Sequence, residues 1–213
     1  MKINVLLRGF DALYCHGLKT FIVDYFRMNF SYETQITTNF NRENISRADI
    51  IVLSLCAGEP FLCSPELLAR KQGGIIGVIN DHATTPKTLP ICFSDMIFIS
   101  RYASLADFQQ VLARALEALH SNDAGTRNRS CSACQHKGLS RKQTRIMANL
   151  YLGKPVMKIA DQLGINYKTV CAHKYNIMKK FALHSDYQLL ALLTKMAQKN
   201  CRPNLLRDYL NEG

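Results

Sequence analysis

Apolar runs of strand length, separated by stretches with helical periodicity, restrict the fold of this chain more than any other feature. They fill the first 120 residues. Alternation of this kind favours βα units, in which helices cover a mainly parallel sheet. Five runs are long enough to be strands, and the second is the weakest. They are Ile3–Leu7, Glu33–Thr37, Ile50–Leu55, Ile75–Ile79 and Met96–Ser100.

Two helical stripes accompany these runs. One lies between the first two strands, and the other begins after Ser104, a residue type that starts helices. Their apolar residues recur mostly at spacings of three and four, as on one side of a helix. They are Leu13, Leu18, Phe21, Ile22, Tyr25 and Phe26, and then Phe108, Val111, Leu112, Ala115 and Leu119. Five strands closed by an amphipathic helix predict an α/β flavodoxin-like domain over residues 1–120.

The positive charge of the chain is confined to its second part. The net charge is +11, from 27 Lys and Arg against 16 Asp and Glu, yet residues 1–120 hold 11 of each sign. The whole excess therefore lies in residues 121–213, which favours a nucleic acid or another acidic partner. With 47% hydrophobic and 20% charged residues, the composition excludes a disordered chain, a collagen-like repeat and a coiled-coil rod.

The chain shows no sign of a membrane or secreted location. No apolar run approaches the roughly 18 residues of a membrane span. Arg8 and Asp11 interrupt the hydrophobic start, so we expect no signal peptide. We expect a cytoplasmic protein without membrane contact, whose eight cysteines are reduced thiols.

A polar, Gly-containing stretch over residues 121–138 predicts an interdomain linker. It contains Cys131, Cys134 and His136, which are weak candidates for a metal site because a closed zinc site needs four ligands. A redox-sensitive disulfide and ordinary linker thiols are the alternatives, and we favour the thiols. We expect no metal and no cofactor.

The basic half contains four short helical patterns. Ser140 with Gln143, and Ser185 with Gln188, form the capping boxes expected at the starts of the first and fourth helices. Gly164 provides a tight turn between the second and third, which predicts an all-α helix-turn-helix domain over residues 139–199. Residues 200–213 are expected to be a frayed tail. The expected starts and ends are Ser140 and Gly153, Val156 and Leu163, Asn166 and Phe181, and Ser185 and Lys199.

The third of these helices has two distinct faces. At about 100° per residue, Val170, Ile177 and Phe181 fall within one arc and are expected to face the core. A basic face with small residues between longer ones lies opposite, and such a face fits the major groove of DNA. The alternative is a merely solvated basic face. The residues of this face are Lys168, Cys171, Ala172, Tyr175 and Lys179.

The first half resembles the receiver domains of bacterial response regulators. The resemblance rests on the strand Ile3–Leu7, on Gly17 and Leu18 in the first helix, and on the strand beginning at Ala48-Asp49. It implies a receiver-like fold, but the residues that make a receiver work are replaced. The acidic pair falls on Gly9 and Phe10, and the phosphoacceptor falls on Ser54. The fifth-strand Lys falls on Arg101, or on Ser100 if the register slips by one.

These replacements predict a degenerate receiver. A hydroxyl at Ser54 cannot both ligate Mg²⁺ and form an acyl phosphate, and Asp11 would be a lone carboxylate. We therefore expect a scaffold that presents a dimer or partner surface and is not switched by phosphorylation. A small ligand at the carboxyl ends of the strands is the alternative.

The second half resembles the LuxR/FixJ-type DNA-binding domain of NarL-like response regulators. The residues that carry the resemblance include Leu139-Ser140-x-x-Gln143, Lys158-Ile159-Ala160 and Lys168-Thr169-Val170-x-x-His173. It departs from the family at Gln143, where Glu is usual, and at Phe181-Ala182, where Leu-Gly is usual. The resemblance implies phosphate contacts from Lys168, Thr169, His173 and Lys174, and base-edge contacts near Cys171, Ala172 and Tyr175, with Lys179 on the same DNA-binding face.

The fourth helix resembles the one through which such domains pair. The resemblance implies that its apolar side forms a dimer surface. The alternative is that this side simply covers the core of the domain. The residues concerned are Leu189, Leu192, Leu193 and Met196.

Together the two halves predict a sequence-specific DNA-binding transcriptional regulator, similar to the RcsA/BglJ type of auxiliary regulator. The resemblance implies a phosphorylation-independent activator that binds promoter DNA as a homodimer, or as a heterodimer with another response regulator, with RNA polymerase as a further partner. The alternative is an interaction module that sequesters another response regulator and binds DNA only non-specifically. No Ser-His-Asp set, phosphate-binding Gly-rich loop or helical His-x-x-x-His pattern is present, so we expect no enzyme.

Overall fold

The computed structural model describes residues 1–70, 73–80, 89–120, 138–199 and 204–212. The chain divides into two compact units. The α/β unit consists of Met1–Leu55 and Ser64–Cys134, and the helical unit consists of Cys56–Cys63 and Gln135–Gly213. Most of the predicted linker lies outside the described residues.

The described part of the α/β unit contains one parallel sheet of five strands in the order β2-β1-β3-β4-β5. This is the strand order of flavodoxin-like folds, so the predicted fold class is confirmed. The register pairs Val5 with Ile36 on one side and with Ile50 on the other. Three strands have the bounds expected from the sequence. The strands are β1 (Lys2–Arg8), β2 (Glu33–Thr37), β3 (Ile50–Leu55), β4 (Gly74–Ile79) and β5 (Met96–Ser100).

Helices α1 (Ala12–Phe30) and α3 (Leu105–His120) contribute to the core that covers the sheet. Ile22 and Phe26 of α1, and Leu112 of α3, have no exposed surface. Leu13 was expected on the same stripe of α1, but it is 87% exposed. It precedes Ile22 by nine residues, and at about 100° per residue it therefore points to the opposite side of the helix.

The described parts of the last two connections between strands contain short turns and no α-helix. After β3 the chain forms 3-10 turns at Glu59–Phe61 and Pro65–Ala69, and Ile91–Phe93 forms another before β5. Proline starts or precedes the Pro65–Ala69 and Ile91–Phe93 turns, and it favours such short starts. Among the described residues, the α-helices of this unit are α1, α2 (Arg42–Arg47) and α3.

Over its described residues, the helical unit contains the four expected helices and one more. Helix α5 has the bounds expected from the sequence, and Ser140 and Gln143 form the predicted capping box at the start of α4, with N···O distances of 3.3 and 3.0 Å. The core includes Ile146, Ile159 and Ile177, all buried. The helices are α4 (Arg141–Tyr151), α5 (Val156–Leu163), α6 (Tyr167–Lys180), α7 (Asp186–Gln198) and α8 (Leu205–Glu212).

Helix α8 replaces the frayed tail expected over residues 200–213, so that expectation is wrong for residues 204–212. Leu206 is 3% exposed in the core of the unit, and the Tyr209 hydroxyl lies 3.4 Å from Asn149 Nδ2. Arg207 donates hydrogen bonds to the carbonyls of Ala197 and Gln198 at the end of α7. Burial and these bonds offset the entropy that a free tail would keep.

A helix that crosses a bilayer must be both long and apolar. None of the helices within the described ranges meets both requirements.

Candidate nucleic-acid interface

The turn between α5 and α6 fixes the start of α6. Gly164 ends α5 in the left-handed conformation, and the Ile165 N–H donates to the Ala160 carbonyl at 3.0 Å. The Asn166 side chain then accepts the N–H of Lys168 at 2.8 Å, which caps α6. The two helices thus form the helix-turn-helix expected from the sequence.

Helix α6 has the two faces that its sequence predicts. Val170, Ile177 and Phe181 are buried in the core of the helical unit. The residues expected on the outer face are all exposed, and Tyr175 keeps 67% of its surface. Thr169 and His173 are half-buried. The exposed set, here called the outer face of α6, is Lys168, Cys171, Ala172, Tyr175 and Lys179.

The charge of α6 has one sign, because the helix contains four lysines and no acidic residue. Lys168 and Lys179 are exposed on the outer face. The other two are engaged in the structure: Lys174 Nζ lies 2.6 Å from the Asp186 carboxylate, and Lys180 Nζ donates to the Gly138 carbonyl at 2.5 Å. A phosphate contact by Lys174 would therefore compete with an ion pair to α7.

Helix α7 buries the side that was expected to form a dimer surface. Leu189, Leu192 and Leu193 are 4%, 0% and 2% exposed in the core, and Met196 is half-buried against it. The prediction that these three leucines form a dimer surface is wrong, because the core of their own unit already covers them. The opposite side of α7, here called the outer stripe of α7, consists of exposed Tyr187 and Leu190 and half-buried Ala191 and Thr194.

The start of α7 differs slightly from the predicted capping box. Ser185 Oγ accepts the N–H of Gln188 at 3.2 Å, as expected. The Gln188 side chain reaches one residue further back and accepts the N–H of His184 at 2.7 Å. Two backbone donors are still satisfied, so the cap performs the same task.

In the α/β unit an ion pair stands where a receiver would hold its metal ion. Asp11 caps α1, accepting the N–H of Tyr14 at 2.9 Å, and its carboxylate also pairs with the Arg101 guanidinium. These two interactions lower the pKa of Asp11, the backbone N–H contributing most. The Arg101 guanidinium lies 4.3 Å from the centre of the Tyr14 ring. Asp11, the first carboxylate after β1, is thus already paired with a cation.

The weak metal candidates Cys131, Cys134 and His136 lie outside the described residues. Within the described ranges, no group of three or more His, Cys, Asp or Glu side chains is placed to hold a metal ion. Ser54, the degenerate phosphoacceptor position, is half-buried near the end of β3.

Sequence comparison assigns the helix-turn-helix segment to a family. Residues 137–193 match GerE, described as bacterial regulatory proteins of the luxR family. The chain is also similar to the transcriptional activator protein BglJ of Escherichia coli (strain K12), with 30% identity over 113 residues. That match spans 52% of this chain and 50% of BglJ, so it covers about half the length of this relative.

Solved structures of similar fold include complexes of the response regulator RcsB with DNA. RcsB from Salmonella enterica serovar Typhimurium, bound to promoter P1flhDC with the phosphomimetic BeF3-, has a TM-score of 0.54 at 16% identity, over 90% of this chain and 97% of RcsB. A two-component response regulator RcsB–DNA complex has a TM-score of 0.52 at 16% identity, over 91% and 98%. At such identities the likeness concerns the fold alone. Residues 137–193 thus match the luxR family of bacterial regulatory proteins, and they follow an α/β unit with a receiver-like fold.

Proposed function

We propose that this chain is a sequence-specific transcriptional regulator that presses the outer face of α6 into the major groove of promoter DNA. The proposal is supported by the purely positive charge of α6, which contains no acidic residue, together with the exposure of Lys168, Ala172 and Tyr175. The major groove admits a helix, and small residues beside longer ones permit close approach. Lys168, Thr169 and His173 contact phosphates and fix the register, while Cys171, Ala172 and Tyr175 lie near base edges.

The regulator works without phosphorylation. A receiver needs several oxygen ligands to hold Mg²⁺ against its hydration shell, and here Asp11 is paired with Arg101 while Ser54 occupies the acceptor position. The abundance of the protein, or of its partner, therefore sets its activity.

It binds DNA as a dimer, and the outer stripe of α7 is the pairing surface. Tyr187 is 81% exposed and Leu190 is 48% exposed, on the side of α7 away from the core. Apolar side chains at this spacing suit a second helix of the same kind. Pairing places the two half-sites about 10 base pairs apart, one turn of DNA. The second subunit is another copy or another response regulator.

The same stripe also favours a second candidate function, in which the chain occupies another regulator in an inactive heterodimer. Its own basic surface then binds DNA only non-specifically. The two functions differ in their dependence on the outer face of α6, because sequestration needs only the pairing surface.

One experiment separates them. The full chain is used to select fragments from genomic DNA, and the selected duplex is compared with a mixed-sequence duplex for wild type, Lys168→Ala, Tyr175→Ala and the control Lys2→Ala, an exposed lysine in β1. We expect the two α6 variants to lose binding to the selected duplex and the control to keep it. Two results together would favour sequestration. The wild-type chain would select no DNA sequence, and both α6 variants would still inhibit the partner regulator. Transcription with purified RNA polymerase then tests activation.

A further inference from the structure

The segment Cys56–Cys63, here called the strap, is part of the helical unit although it precedes α4 by many residues in the sequence. It begins directly after Leu55, the last residue of β3. It contains the 3-10 turn Glu59–Phe61. Neither the helix-turn-helix pattern nor the luxR-family match over residues 137–193 includes it.

The strap contributes apolar side chains to the core at the end of α6. Leu62 is 5% exposed and belongs to the same cluster as Phe181 and Leu192. The Phe61 ring meets the Phe181 ring edge to face, with centroids 6.4 Å apart and an angle of 75°. Edge-to-face pairs of this kind add to the free energy of simple apolar burial.

Gly58 brings the strap backbone into close contact with that core. Its φ is +80°, and a Cβ there would lie 3.0 Å from Cδ2 of both Leu183 and Leu192 and 3.2 Å from Cβ of Phe181. Real Cβ contacts are rarely this short. The fit therefore requires glycine for its backbone conformation and for its lack of a side chain.

Polar contacts hold the two ends of the strap. The buried Lys199 side chain, 7% exposed, donates to the Cys63 carbonyl with an N···O distance of 2.7 Å. Glu59 is 4% exposed, and its carboxylate accepts the N–H of Cys56 at 3.1 Å. Buried charged groups are costly without partners, so the Lys199 bond favours one position of the strap. The Glu59 bond lies within the strap and favours one conformation of its turn.

The turn between α6 and α7 is the part of the unit that needs such support. Ala182 has a φ of +53°, a left-handed conformation that is uncommon for residues other than glycine. The residues on either side, Phe181 and Leu183, both pack against the strap. The strap thus clamps a strained turn that sets the direction in which α7 leaves α6.

We propose that the strap positions α6, the helix proposed above to enter the major groove. By clamping Phe181 and Leu183, it fixes the angle between α6 and α7. This rests on the proposed function, because DNA binding is the activity that it positions. The strap touches none of the exposed residues of the outer face of α6 in the contacts above, so its effect on DNA passes through Phe181 and the turn.

The first test compares two glycines of the same unit in the full chain. Gly58→Ala places a Cβ against the core, whereas Gly153→Ala, at a φ of +75°, introduces similar backbone strain with no atom within 4 Å. We expect amide hydrogen exchange in the second half of α6 and in α7 to be about tenfold faster in Gly58→Ala than in Gly153→Ala. Unchanged exchange in β1 shows that the α/β unit stays folded. Equal exchange in the two variants would overturn the proposal.

The second test separates positioning from simple stability. Phe61→Ala removes the ring against Phe181, and Phe61→Leu restores apolar volume there. At a temperature where both variants are fully folded, we expect Phe61→Ala to weaken binding to the selected duplex about fivefold, with Phe61→Leu near wild type. Equal binding by all three proteins would contradict positioning. If wild type itself selects no duplex, the proposed function fails, while the exchange comparison still decides whether the strap clamps α6 and α7.

Discussion

Lys174 of α6 is paired with Asp186 in the first turn of α7, with an N···O distance of 2.6 Å. The Asp186 side chain is 72% exposed, so water screens the pair and its contribution to stability is small, about 0–1 kcal/mol. The pair matters more for the charge that α6 presents. While Lys174 is paired with Asp186, its ammonium group is less available for a contact with a DNA phosphate.

Asp186→Asn should therefore strengthen DNA binding. The released Lys174 becomes available to a phosphate, and each added phosphate contact steepens the fall of log affinity with log salt by about 0.9. We expect this steeper slope in a salt titration by fluorescence anisotropy. Asp208→Asn, the same charge change at an exposed position of α8, is the control. An equal slope for the two variants would mean that Lys174 does not reach DNA.

Leu190→Ala and Leu192→Ala test the assignment of the two sides of α7. Leu192 has no exposed surface and Leu190 is 48% exposed. Truncation at Leu192 should cost about 2–5 kcal/mol of unfolding free energy, whereas truncation at Leu190 should change it by less than about 0.5 kcal/mol. Leu190→Ala should instead weaken dimerisation, measured by analytical ultracentrifugation. A dimer unaffected by Leu190→Ala would remove the outer stripe of α7 as the pairing surface.

The thiols of Cys56 in the strap and Cys171 in α6 should differ sharply in reactivity. Burial and the nearby Glu59 carboxylate raise the pKa of Cys56 to about 12, and the thiolate is the reactive form. Cys171 is exposed on α6. Brief alkylation near pH 8, followed by peptide mass spectrometry, should label Cys171 and leave Cys56 unmodified until the protein is unfolded. Early labelling of Cys56 would show that the strap opens readily.

The Asp11 carboxyl should titrate below its ordinary value of 3.8, because the Tyr14 N–H and Arg101 stabilise its charged form. A group whose pKa is lower in the folded state stabilises the fold above its unfolded pKa and loses that effect as pH falls through the folded pKa. We therefore expect Arg101→Ala to raise the Asp11 pKa in an NMR titration and to reduce stability above about pH 4. Arg114→Ala, at an exposed site of α3, is the matched control and should leave that pKa unchanged.

Phosphoryl analogues should have no effect on this protein. Acetyl phosphate or beryllium fluoride, each with Mg²⁺, should change neither dimerisation nor DNA affinity, because the carboxylates that would hold the metal are missing at Gly9 and Phe10. Ultracentrifugation and anisotropy provide the measurements. A shift that requires Mg²⁺ would contradict the degenerate receiver.

The sequence predicts those parts of the fold that depend on neighbouring residues. Strand β3 and helix α5 have the bounds expected from apolar spacing alone, because each is delimited by local signals such as Gly164. The two faces of α6 follow from its periodicity in the same way. Local pattern therefore suffices to place five of the candidate DNA-binding residues on one exposed surface, the outer face of α6.

What the sequence does not predict depends on contacts between distant residues. The periodicity of α7 places Leu189 and Leu192 on one side, but it cannot distinguish a core from a partner. The strap and α8 both complete the core of the helical unit, and each contacts a helix that is distant in the sequence. The strap contacts Phe181 at the end of α6, and α8 contacts Asn149 of α4. The apolar spacing of Leu206 and Leu210 was the available signal for α8.

The strap has a practical consequence for exchanging modules between regulators. A graft that joins the α/β half of one protein to the DNA-binding half of another is usually cut in the linker, yet here such a cut would leave Leu62 and Gly58 behind. The transplanted helices would then pack against a foreign sequence at the positions of Gly58 and Leu62. Chimeras of this chain should therefore carry residues 56–63 along with α6 and α7, so that the strap and the turn that it contacts stay matched.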